Sequence, residues 1–120
     1  PTAPTPAGHY SQAMIHGDLV FVSGQLAIDP ETGNRMTGTI EEQTERTLRN
    51  VEAVLVAAGS GLNNVIKATV YIANIDLWGQ VNTVYARIFG DHKPARAIVP
   101  TRDLHYGFLV EIEVVASLSS

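Results

Sequence analysis

A chain of 120 residues has room for one domain, since domains run at roughly 150 residues each. Its residues are 45% apolar, enough for a self-standing core, but only 17% are charged, which leaves a thin polar surface for a free monomer and hints at an oligomer. Eight basic against twelve acidic side chains give a net charge of −4 with no cluster of Lys or Arg, which argues against a nucleic-acid surface. The absence of cysteine excludes disulfides, thiolate metal sites and a cysteine nucleophile together.

No apolar run approaches the ~18 residues that a membrane span needs. Residues 1–8 (PTAPTPAG) carry neither the basic nor the apolar block of a secretory leader, so a cytoplasmic location is expected. They read as an extended arm on a single domain covering 1–120.

Tyr10 to His16 is predicted as a short strand, and Gly17-Asp18 as the two-residue Gly-X turn that closes a hairpin. The return strand, Leu19 to Ile28, is apolar on both faces and therefore expected near the centre of a sheet. Asp29 to Gly33 is a turn, with Pro30 presetting φ and Gly33 supplying a positive φ. Thr39 to Ala58 is a helix: Thr39 and Glu42 have capping-box spacing, Leu48, Val51, Leu55 and Ala58 recur at steps of three and four, and Gly59 stops it.

Val65 to Ala73 alternates, with Ile66, Ala68, Val70 and Ile72 pointing one way and Lys67, Thr69 and Tyr71 the other. Asp76 is expected to cap a second helix that runs to Phe89, burying Val81, Val84, Tyr85 and Ile88, with Gly90 past its end. Ala95 to Val99 is strand-like until Pro100, which confines that strand to an edge or a bulge. Val110 to Leu118 alternates again, with Ile112, Val114 and Ala116 opposite Glu111, Glu113 and Val115.

The order strand, strand, helix, strand, helix, strand, strand gives an α+β class. Its two helices can cover only one face of a five- or six-stranded sheet. The opposite face, with Thr69, Tyr71, Val115 and two glutamates, is then left for a second copy of the chain. The alternative is a half-solvated antiparallel sheet.

The chemistry is sparse. His9, His16, His92 and His105 are scattered, with no paired-histidine motif, so no metal site is expected. Gly59-Ser60-Gly61 follows a helix instead of opening one, and no G-x-S-x-G elbow is present. Arg96 opens an otherwise apolar strand, where its guanidinium needs an anion such as a substrate carboxylate. The plainer alternatives are an exposed edge arginine or a pair with Asp103. Glu111, on the face assigned to a neighbour, is suited to hold and activate a water, unless it is solvated or paired with Lys67. Tyr10 either walls a pocket or packs on the hairpin, and Ser23 and Asn82 are uninformative taken singly.

Taken together, the blocks Ala7-Gly8-His9-Tyr10-Ser11-Gln12-Ala13, Val22-Ser23-Gly24-Gln25 and Ala57-Ala58-Gly59-Ser60 resemble those of the Rid (YjgF/UK114) family of enamine/imine deaminases. Val81-Asn82-x-x-Tyr85, Pro94-Ala95-Arg96 and Val110-Glu111-Ile112-Glu113 complete the set, so the resemblance runs from about residue 6 to 117. It implies a chorismate-mutase-like (YjgF-like) mixed sheet with both helices on one face, assembled as a homotrimer with clefts between subunits. It also implies cofactor-free hydrolysis of 2-enamine and 2-imine intermediates, such as 2-aminoacrylate, to 2-oxo acids and ammonia.

On that resemblance Arg96 binds the substrate carboxylate, Glu111 positions the water, and Tyr10, Ser23 and Asn82 line the cleft. Two positions depart from the family pattern. His9 stands where many members have proline, and Ile98 where many have cysteine, so Ile98 must contribute to substrate binding through its backbone or make the pocket more apolar. Those departures leave a non-catalytic binder of small carboxylates as the alternative. A ribonuclease or translation inhibitor is disfavoured by the net charge of −4.

Overall fold

The computed structural model describes residues 8–118; the arm expected at 1–8 lies outside them except for its last residue. The elements are β1 (Ala13–His16), β2 (Leu19–Gln25), α1 (Ile40–Ala57), β3 (Val65–Ile72), α2 (Trp78–Phe89), β4 (Ala95–Pro100) and β5 (Val110–Ser117). This is the predicted order.

Local chemistry accounts for most boundaries. Thr39 Oγ1 accepts the Glu42 N–H at 3.1 Å while Glu42 Oε1 accepts the Thr39 N–H at 2.9 Å, so the capping box at the head of α1 is complete. Gly17 adopts φ 61°, a value that a side chain would resist, and the hairpin closes on Gly17-Asp18 as expected. Two strands are three residues shorter than predicted. The first starts at Ala13 because Tyr10 N–H turns back to the Gly8 carbonyl. The second ends at Gln25 because Ile28 N–H folds onto Leu26 and the Ala27 carbonyl accepts from Met36. Asp76 does not cap α2: Asn74 accepts the Asp76 N–H at 2.9 Å and caps a short 3₁₀ turn, Ile75–Leu77, that feeds the helix at Trp78.

The sheet runs β1-β2-β5-β3-β4, antiparallel except for the β3–β4 pair that flanks the α2 crossover. β5 takes the middle, β2 is interior, and β4, ending in Pro100, is an edge strand. Both helices lie on one face. Beneath them Val20, Val22, Ala68, Val70, Ile72, Ile112, Val114 and Ala116 are buried with Leu48, Val51 and Leu55 of α1. Complete burial of each larger side chain contributes about 1.5–3 kcal/mol. Ile66 is not in this row, contrary to the alternation. A register shift against β5 between Val65 and Lys67 turns it outward, 49% exposed, and Val65 fills its place.

Two buried polar side chains of α1 tie this framework to the loops at one end of the sheet. Gln43 Nε2 donates to the Gly38 carbonyl and its Oε1 accepts the Leu109 N–H at 2.9 Å, anchoring the approach to β5. Asn50 Nδ2 donates to the Leu26 and Ile28 carbonyls, each at 2.8 Å, anchoring the exit of β2. On the face away from the helices stand Phe21, Thr69, Tyr71, Glu111, Glu113 and Val115, and no element of the described residues covers them.

Candidate functional site

Arg96 is in register with Ala68, a member of the helix-covered row, and its side chain therefore leaves on the face that carries α2. There Asn82 Oδ1 accepts a hydrogen bond from Arg96 Nη1 at 2.9 Å. Trp78 and Tyr85 flank the guanidinium, its carbon 4.7 Å from each ring centroid. Trp78, Asn82 and Tyr85 sit at i, i+4 and i+7 on α2, one stripe aimed at the edge strand. No carboxylate of the described residues makes an ion pair with Arg96, so an Asp103 partner is not realised, whereas the other plain alternative is: Arg96 is exposed on the edge strand β4. The guanidinium keeps donors free for an anion.

Arg96 and Asn82 line a cleft of about 340 Å³ together with Tyr85, Ala86, Phe89, His92, Lys93 and Pro94. His92 is held by its Nε2 2.7 Å from the Val65 carbonyl. The Tyr85 hydroxyl is buried and unpartnered among the described residues. Burial pushes its pKa up, and the Arg96 charge pulls it part of the way back.

Glu111 is in register with Tyr71 and belongs to the opposite face. Of the two glutamates on that row, Glu113 is engaged: Tyr71 Oη donates to its Oε1 at 2.5 Å. Glu111 makes no hydrogen bond to the other described residues and is half-buried. Burial lifts its carboxyl above the usual carboxylate range, opposed by the charge of His105 and reinforced by that of Glu113. It is a carboxylate of raised basicity with its acceptor sites open, which suits it to hold a water or receive a proton.

Ser23 stands on β2, where its hydroxyl donates to the Ser11 carbonyl at 2.6 Å and its N–H to Gln12, tying down the loop that carries Tyr10. Tyr10 itself is about half exposed. Ile98 follows Arg96 on the helix face and packs against the core, which leaves the backbone of the edge strand as its polar contribution. The structure thus brings Arg96 and Asn82 together on one face and puts Glu111 on the other. Sequence reasoning missed Trp78 and Tyr85 as flanks of Arg96. Their spacing with Asn82 is the signal that would have found them. Among the described residues no group of three His, Asp or Glu could hold a metal ion, and no helix is long and apolar enough to cross a membrane.

A family model described as endoribonuclease L-PSP matches residues 1–118. RidA of the Antarctic bacterium Psychrobacter sp. PAMC 21119 has the same architecture, with a TM-score of 0.92 at 37% identity over 97% of this chain and 94% of that one. The chain belongs to the Rid family. It is 46% identical over 114 residues to a RutC family protein of Pyrococcus abyssi, 95% of this chain and 90% of that one. It is also 39% identical over 114 residues to the 2-iminobutanoate/2-iminopropanoate deaminase of Rattus norvegicus, 95% of this chain and 83% of that one. The five-stranded sheet with two helices on one face is the Rid architecture that the sequence blocks implied.

Proposed function

We propose that this Rid protein hydrolyses small 2-imino acids, such as 2-iminopropanoate, to 2-oxo acids and ammonia, in clefts between copies of a homotrimer. The observation that carries the reading is the Arg96 guanidinium: tethered by Asn82, flanked by two aromatic rings, without a carboxylate partner among the described residues, and open to a cleft. It is a waiting receptor for a substrate carboxylate, held by a two-point fork.

The imine carbon then needs one water. Glu111 of an adjacent copy holds that water and takes its proton as the oxygen attacks. The protonated imine nitrogen takes up the C=N electron pair to give a neutral carbinolamine. Glu111 returns its proton to that nitrogen, and ammonia leaves as the hydroxyl proton is released and the C=O bond forms. Such help contributes roughly 10²–10⁴-fold, enough for an already electrophilic substrate. A neighbour is needed because Arg96 and Glu111 lie on opposite faces of their own sheet, and the uncovered face with Phe21 and Val115 is the surface a second copy would cover. Tyr10 and Ser23, on the Glu111 side of the chain, then border the cleft, while Asn82 and the Ile98 backbone border it from the Arg96 side.

The test is hydrolysis of 2-iminopropanoate, generated in place by an amino-acid oxidase and followed through loss of the imine. Acceleration by the wild-type protein that disappears in Arg96→Ala supports the reading. Saturable pyruvate binding without acceleration would replace it with a non-catalytic carboxylate binder.

A further inference from the structure

Gly24 lies inside β2, where glycine weakens a strand and calls for a reason. Its backbone supplies none: unlike Gly17 or Gly90, it does not adopt a positive φ, and any residue could follow the same path. The reason is spatial. A β-carbon built on Gly24 would overlap Glu111 Oε2 and stand 3.0 Å from Glu111 Cδ, inside contact distance of both. The β2–β5 register shifts between Val22 and Gln25, a bulge that brings the Gly24 backbone beneath the Glu111 side chain. Tyr71 stands directly opposite Glu111 on the other neighbouring strand, and its hydroxyl is committed to Glu113. The carboxylate is therefore fitted into a slot whose floor is the bare α-carbon of Gly24.

We infer that Gly24 is a positioning residue: its missing side chain is the seat that holds the Glu111 carboxylate at its working place. This deepens the reading of Glu111 as the water-holding group and rests on it. Because the atom a new methyl would strike is the far end of a flexible side chain, Gly24→Ala leaves the fold intact and swings the carboxylate aside. Misplacing a reacting group by about 1 Å costs on the order of 10²-fold in rate.

The experiment compares Gly24→Ala, Glu111→Asp, Glu111→Gln and the Gly24→Ala/Glu111→Asp double variant in 2-iminopropanoate hydrolysis. Pyruvate affinity is measured alongside as a reading of the Arg96 side. Gly24→Ala is expected to lower kcat by about 100-fold with KM and pyruvate affinity nearly unchanged. The double variant is expected to match Glu111→Asp alone, because the acid shortened by one methylene no longer meets the new methyl and Gly24→Ala then costs nothing further. A Gly24→Ala protein with wild-type kcat, or a double variant about 100-fold below Glu111→Asp, overturns the inference.

Glu111→Gln separates the two readings. If it keeps full activity, the role of Glu111 falls and the seat with it; if it is inactive while Gly24→Ala is not, the seat alone falls. Should Gly24→Ala fold poorly, nuclear magnetic resonance on the wild-type chain decides the same point. The Gly24 backbone resonances should follow the titration of Glu111 and stop doing so in Glu111→Gln. Resonances indifferent to that titration overturn the seat.

Discussion

Arg96 and Glu111 leave opposite faces of one sheet, Arg96 in register with Ala68 beneath the helices and Glu111 in register with Tyr71 on the bare side. A substrate of three or four carbons cannot span that barrier within a single chain. If the two act on one substrate, as proposed, they do so from two copies.

Arg96→Ala should lower kcat/KM for 2-iminopropanoate by at least about 100-fold, since it removes a charge-assisted fork. Arg96→Lys should sit between, about tenfold down, because it keeps the charge but loses the planar geometry. Size-exclusion chromatography should show the same assembly for both. Steady-state kinetics with wild-type values in Arg96→Ala would contradict the assignment.

Trp78 is the one tryptophan of the chain and lies against the Arg96 guanidinium. Pyruvate or another small carboxylate should therefore change the intrinsic fluorescence in a saturable way. The change should vanish in Arg96→Ala. Titration of both proteins is sufficient to decide.

Much of the fold is legible in the residues. The capping box at Thr39, the turn at Gly17-Asp18 and the edge position forced by Pro100 are short-range effects, and each is present in the structure. Ile66 departs from its alternation because its direction depends on a register shift against β5, a strand more than forty residues away. Asp76 loses the capping role to Asn74 because a 3₁₀ turn precedes α2, a choice that helix periodicity does not encode. Arg96 can be singled out from its apolar neighbours. That it faces away from Glu111 cannot, since this follows from the order of strands in the sheet. Tyr85 reads as a packing residue, and Trp78 carries no reading of its own, until that order brings the edge strand under α2.

The pH dependence has a definite sign. Burial raises the Glu111 pKa in the folded protein, so the native state holds that proton more tightly than the unfolded chain does. Its favourable contribution is present below the ordinary glutamate value and is lost as pH rises through the raised one. Glu111→Gln should therefore increase resistance to urea at neutral pH and bring no such gain in acid. Catalysis should run the other way, with wild-type kcat falling as Glu111 is protonated. Urea midpoints and pH–rate profiles on the same two proteins check both halves.

Gln43→Leu should destabilise the protein by about 3 kcal/mol, because it leaves the Gly38 carbonyl and the Leu109 N–H without their partner. The loss should also reach the site, since Leu109 leads directly into Val110 and Glu111. Urea denaturation measures the first effect and kcat the second. An unchanged urea midpoint would remove Gln43 from the framework.

The most direct measurement mixes two dead proteins. Arg96→Ala and Glu111→Gln, each inactive alone, are unfolded together and refolded as mixed assemblies. If each cleft draws its arginine from one copy and its glutamate from the next, random mixing restores both groups in about one cleft in four, and about a quarter of the wild-type activity returns. If the mixture stays as inactive as its parents, Arg96 and Glu111 do not work across a subunit boundary.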